Sequence, residues 1–126
     1  MPERLFILEI ISQIEAAIEK VVVRFATVKT VDDFTHSPSG MEKLDAVCMQ
    51  IIVIGELLKK LDKVTHGALL QKYSQVEWKK AMAMRDIITH HYTSSVDAEV
   101  VYNTCKNKIP SLQEGIRQLK KAFLTA

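Results

Sequence analysis

Residues 2–28 read PERLFILEIISQIEAAIEKVVVRFATV, and the order of apolar residues in this stretch decides the fold. Ile7, Ile11, Ile14, Ile18, Val21 and Phe25 recur at alternating spacings of four and three, which places them on one face of an α-helix from about Pro2 to about Val28. Leu8, Ile10, Ala17 and Val22 widen that stripe beyond what one neighbouring helix covers. A second contact surface is therefore expected, and a dimer is one way to supply it. Glu9, Glu15 and Glu19 interrupt the apolar run, which neither a signal peptide nor a membrane span tolerates.

The same pattern continues outward from this helix. Val31 to His36 reads as a connector with a helical turn, and Ser37-Pro38 supplies an N-cap followed by proline at the first helical position. Leu44, Val47, Cys48, Ile51, Ile54, Leu58 and Leu61 then keep a second seam, widened by Ile52, Val53 and Leu57. Gly55 costs that helix about 1 kcal/mol relative to alanine, so its expected use is close packing against a neighbour. A polar connection from Asp62 to Tyr73 holds a short helix near Ala68-Leu69-Leu70, and Ser74-Gln75-Val76-Glu77 has the form of a capping box that starts the third helix. That helix runs through Trp78, Ala81, Met82 and Met84 into Arg85 and ends near His91 to Ser94. Ser95 or Asp97 caps a fourth through Val100, Val101 and Cys105, which Pro110 kinks or restarts before Leu112, Ile116, Leu119 and Phe123.

Three prolines and four glycines in 126 residues leave room for long helices and little for tight strand turns, so the expected class is all-α. The length suits one domain over residues 1–126. Cys48 and Cys105 form no CxxC pair, which argues against a zinc site or a disulfide framework and for a reducing cytoplasm. Net charge is +2 but unevenly spread: residues 1–58 hold five Lys/Arg against nine Asp/Glu, and residues 59–126 hold twelve against six. The basic second half suits an anionic partner such as RNA, although solvated helix faces produce the same count.

That half contains Arg85-Asp86-Ile87-Ile88-Thr89-His90-His91-Tyr92. Arg85 offers a permanent planar cation for phosphate, and histidine suits proton transfer near neutral pH. RNA cleavage without metal needs a base for the 2′-hydroxyl, an acid for the leaving oxygen and a cation for the phosphorane. On one ideal helix, Arg85 and Tyr92 share a face, while His90 lies about 140° round from Arg85. Either the helix distorts near His90 or the two groups meet across a dimer. Asp86, four residues before His90, is placed to orient its imidazole. Lys79, Lys80 and His91 are candidate RNA contacts. No histidine pair has helical metal-ligand spacing, so no metal or cofactor is expected. Spacing alone does not make a catalyst, because an Arg and a His on one helix are more often ion-pair partners or caps.

Arg85, His90 and Tyr92 match the R-x4-H-x-Y signature of the HEPN superfamily, and the chain resembles its HepT-like ribonuclease toxins. Asp33-Phe34, Asp45-Ala46-Val47, Ile54-Gly55-Glu56, Trp78, Val96-Asp97 and Ile109-Pro110-Ser111-Leu112 are similar to further landmarks of that family, in the same order. Asp86 stands where the family most often has asparagine. The resemblance implies an up-and-down bundle of four to five helices, dimeric, with two motifs facing each other across a cleft. It implies metal-independent RNA cleavage in which His90 transfers the proton and Arg85 holds the scissile phosphate. It also implies a type VII-like toxin–antitoxin pair, in which a minimal nucleotidyltransferase antitoxin silences the toxin by AMPylation of Tyr92. The alternative is an inactive helical dimerisation module that only binds such a partner.

Overall fold

A computed structural model describes residues 2–91 and 97–125, with the side chains of Pro2, His90 and His91 outside that description. The chain forms α1 (Pro2–Phe25), α2 (Asp32–Thr35), α3 (Pro38–Val64), α4 (Ala68–Gln71), α5 (Trp78–His91), α6 (Ala98–Asn103), a π-helical segment (Thr104–Lys108) and α7 (Ile109–Thr125). The all-α expectation holds. On α1, Ile11, Ile14, Ile18 and Val21 are buried, and so are Ile10 and Ala17, which broadened the stripe. The helix stops at Phe25, short of Val28, because a turn closed by Val28 N–H on the Phe25 carbonyl carries Val28 into the core. Asp33 Oδ2 then accepts the N–H groups of Lys29 (2.7 Å) and Thr30 (3.1 Å), which holds the connector against the start of α2.

The contacts between helices fix their directions. Lys60 near the end of α3 lies over the Phe6 ring at the start of α1, while Lys43 near the start of α3 donates to Thr27 just past the end of α1. Arg4 of α1 donates to the carbonyls of Phe123 and Leu124 on α7, and Lys120 of α7 reaches Glu15 on α1. Thus α1 runs antiparallel to both α3 and α7. Ile51, Ile54, Leu58 and Leu61 of α3 join Ile109, Leu112, Ile116 and Leu119 in a single buried cluster. Ser37 caps α3 as expected, its Oγ accepting Gly40 N–H at 2.9 Å.

Three local features depart from the sequence reading or refine it. The Ser74-to-Glu77 capping box does not form: α5 begins at Trp78, and Glu77 pairs with Lys80 at 2.7 Å. Tertiary contacts outweigh the local motif here. The indole N–H of Trp78 donates to the Tyr73 carbonyl at 2.8 Å, and Val76 packs so closely on α7 that a Cβ at Gly115 would lie 2.3 Å from its Cγ2. Asp97 caps α6, accepting from Glu99 and Val100, while Ser95 lies outside the described residues. The last α-helix restarts at Ile109, one residue before Pro110, as the proline leads one to expect. The π-helical turn just before it widens the backbone where proline would otherwise crowd the preceding turn and withhold a hydrogen bond.

Cys48 of α3 and Cys105 of the π segment are both free and buried. Burial, aided by Asp45, pushes the Cys48 thiol up to about 11, and burial with neighbouring Cys48 pushes Cys105 up to about 12, from an ordinary value of 9.0. Folded-state values above the unfolded ones mean that this stability is fully present below pH 9.0 and is lost as pH rises through about 11 and about 12. Alkaline titration of the denaturation midpoint should show that decline. Both thiols should ignore Ellman's reagent at neutral pH until the chain is unfolded, and rapid reaction of either in the native protein would contradict their placement. Among the described residues, no helix is long and apolar enough to cross a membrane.

Candidate active site

Helix α5 lies antiparallel on α3. Its Arg85 rests beside Gly55, while its first turn lies two turns further on at the C-terminal end of α3, where Trp78 and Lys79 share a groove with Asp62. Gly55 makes the approach possible. A Cβ at that position would fall 2.5 Å from Arg85 Cβ and 3.3 Å from the Met82 carbonyl oxygen, closer than packed atoms come. The close packing expected of Gly55 is therefore a seat for Arg85.

From that seat the guanidinium meets carboxylates on both sides. Arg85 Nε lies 2.5 Å from Glu56 Oε1, the residue next to Gly55 on α3. The Nε atom is sealed from solvent, and its N–H does not lie along the contact, so charge and packing hold this pair more than a straight hydrogen bond does. Arg85 Nη1 donates to Asp86 Oδ1 at 2.9 Å, and Lys59 Nζ stands 3.6 Å from the same oxygen. Two cations and two carboxylates thus form one cluster. The hydrogen bond from Arg85, with Lys59 nearby, holds the Asp86 carboxyl below its ordinary range. The hydrogen bond to Asp86 and the charge of Glu56 raise Arg85 in turn, so its cation is secure.

Helix α5 remains α-helical through His91. The backbone at His90 is therefore regular, and its register position stays about 140° from that of Arg85. The sector holding His90 also contains Ala83, Asp86 and Ile87, all exposed, whereas Arg85 faces α3. The imidazole itself, the His91 side chain and Tyr92 lie outside the described residues. Asp86, expected to orient His90, spends its Oδ1 on Arg85 and Lys59. Lys79 and Lys80 are exposed beside an open groove between α5 and the Asp62-to-Ser74 connection, and Lys80 is paired with Glu77.

In the sequence Glu56 stands out only as part of Ile54-Gly55-Glu56, and Lys59 does not stand out at all. Their spacing of three on α3 puts both on the flank that meets α5. The one available signal was a carboxylate beside a glycine in an otherwise apolar stretch.

The helical fold of the described residues belongs to a known class. The ribonuclease HepT-like family matches residues 7–119, nearly the whole chain, and the chain belongs to it. Among curated relatives, "Putative RNase MJ0127" of Methanocaldococcus jannaschii is 29% identical over 81% of this chain and 78% of its own length. "Putative RNase TTE0752" of Caldanaerobacter subterraneus is 28% identical over 70% of this chain and 71% of its own. "Gamma-glutamylcyclotransferase and putative RNase MJ0434", also of M. jannaschii, is 35% identical over 72% of this chain, which spans only 37% of that longer protein. No solved structure matches the chain.

Proposed function

We propose that the chain is a metal-independent endoribonuclease toxin whose site joins Arg85 of one subunit to His90 of a second. The carrying observation is that α5 is regular through His91, with Arg85 seated against α3 and the His90 register on the exposed sector. A regular helix keeps the two functional positions apart within one chain, which supports a second copy as the source of the missing half. Ile87, 47% exposed in that sector, gives such a copy an apolar foothold.

In this reading the substrate 2′-hydroxyl gives its proton to His90 and its oxygen attacks phosphorus. The bond from phosphorus to the 5′-oxygen breaks, that oxygen takes a proton, and a 2′,3′-cyclic phosphate remains. Arg85 balances the charge of the phosphorane. Lys79, Lys80 and His91 steer RNA to the cleft. Control rests on a nucleotidyltransferase antitoxin: the Tyr92 oxygen attacks the α-phosphorus of ATP, pyrophosphate leaves, and the attached AMP places charge and bulk two residues from His90. A cytoplasmic location follows from such a substrate and partner.

The test mixes two dead variants. Arg85→Ala and His90→Ala should each be inactive in EDTA, whereas their mixture should recover about a quarter of wild-type cleavage, since random pairing restores one of two sites in half of the dimers. A mixture as inactive as its components would overturn the shared site. A second reading, a binding module with no cleavage of its own, draws support from the neutralisation of Arg85 by Glu56 and Asp86. It predicts a stable complex with the nucleotidyltransferase and intact RNA under every condition.

A further inference from the structure

We propose that the two carboxylates on Arg85 do opposite jobs: Glu56 is a positioning residue that fixes the guanidinium, and Asp86 is a competitor that the RNA phosphate displaces onto Lys59. This rests on the reading of Arg85 as the phosphate-binding group and adds how the chain sets its strength.

The two contacts differ in the way the assignment needs. Glu56 meets Nε, the inner nitrogen, which is sealed from solvent beside the glycine seat. A phosphate arriving from solvent has no access to that atom. Glu56 sits on α3 and Arg85 on α5, so the pair ties the guanidinium to a different helix from its own. Asp86 meets Nη1, an outer nitrogen of the kind that grips phosphate in forked contacts; the two carboxylates are about equally exposed, so the difference lies in which nitrogen each meets. It shares a helix with Arg85, so its contact does not tie the guanidinium to another helix; its own link to α3 runs through Lys59.

Lys59 makes displacement feasible. Its ammonium already stands 3.6 Å from the Asp86 oxygen that Arg85 uses. When phosphate takes Nη1, Asp86 keeps a cationic partner and is not stranded. The cost of its presence is electrostatic: a carboxylate beside the arriving phosphate repels it. The cluster as it stands is neutral, so this chain binds RNA more weakly than the same fold with an uncharged residue at position 86.

The experiment uses the full chain, a fluorescent single-stranded RNA with 2′-O-methyl groups that block cleavage, and the Nε–Hε signal of Arg85 by nuclear magnetic resonance. Asp86→Asn should bind the RNA about fivefold more tightly and keep the Arg85 signal. Glu56→Gln should bind more weakly and collapse that signal into the fast-exchanging exposed arginines, with helix content unchanged. Glu56→Asp should restore part of both. Lys59→Ala should weaken binding, and this loss should be smaller once Asp86 is also replaced. Asp86→Asn that binds no tighter, or Glu56→Gln that leaves the signal in place, overturns the assignment. If the wild-type chain binds RNA but cleaves none when the methyl groups are absent, the ribonuclease reading fails while these comparisons still decide the two roles. If it binds no RNA, the displacement role fails with that reading.

Discussion

Replacing Arg85 with lysine is expected to lower RNA cleavage about a hundredfold, close to the effect of alanine, even though the formal charge is kept. The reason lies in how the guanidinium is used. Its Nε faces Glu56 while Nη1 faces Asp86, so one rigid plane spans two carboxylates on two helices and presents an outer edge to solvent. An ammonium is a point charge on a flexible stem. It can reach one of the carboxylates, but it cannot be fixed by one and present a planar fork to phosphate. The thermal midpoint should move little, because partly exposed ion pairs contribute little to stability. Circular dichroism and a cleavage assay on the same preparation check both halves, and a lysine variant with near wild-type activity would show that charge alone suffices.

The second large effect is expected at Gly55, where valine should cost about 1–3 kcal/mol of stability and lower cleavage by about two orders of magnitude. In an open helix, replacing glycine with alanine stabilises by about 1 kcal/mol, so the sign of the change is diagnostic. Here a Cβ would stand 2.5 Å from Arg85 Cβ, an atom fixed to the α5 backbone, and α5 has to move for it to fit. Alanine should therefore already destabilise, and valine more so. A stabilising Gly55→Ala in urea denaturation would show that α5 does not lie against α3 in this way.

Local rules made much of the bundle legible. The spacing from Ile7 to Phe25, the Ser37-Pro38 cap, the Asp97 cap and the helical turns at Asp32 and Ala68 each depend on neighbours within one or two turns, and each is present. The Ser74 capping box failed for the complementary reason. Its residues satisfy a local motif, but the Trp78 indole bond to Tyr73 and the packing of Val76 against Gly115 hold the loop in another shape. Those contacts join segments that local pattern does not relate.

The site divides along the same line. Arg85, Asp86 and His90 were readable as a cluster because they are adjacent in sequence. The partner of Arg85 was not, because Glu56 lies 29 positions away on another helix, and only the crossing of α3 and α5 makes them neighbours. Gly55 was readable as a point of close approach, though not as the seat of Arg85. Asp86 illustrates the limit of motif reading. As the residue four before His90 it suggests a role in orienting an imidazole that lies outside the described residues, and no local pattern points to its contact with Lys59 on another helix.

Cleavage of RNA by its own 2′-oxygen at the proposed Arg85 and His90 site is checked by incubating one labelled single-stranded RNA, and the same sequence as DNA, with the purified chain in EDTA. Only the RNA should be cut, the new ends should carry 2′,3′-cyclic phosphate, and Arg85→Ala and His90→Ala should abolish cutting. Cleavage of the DNA, or undiminished RNA cleavage by both variants, would contradict it.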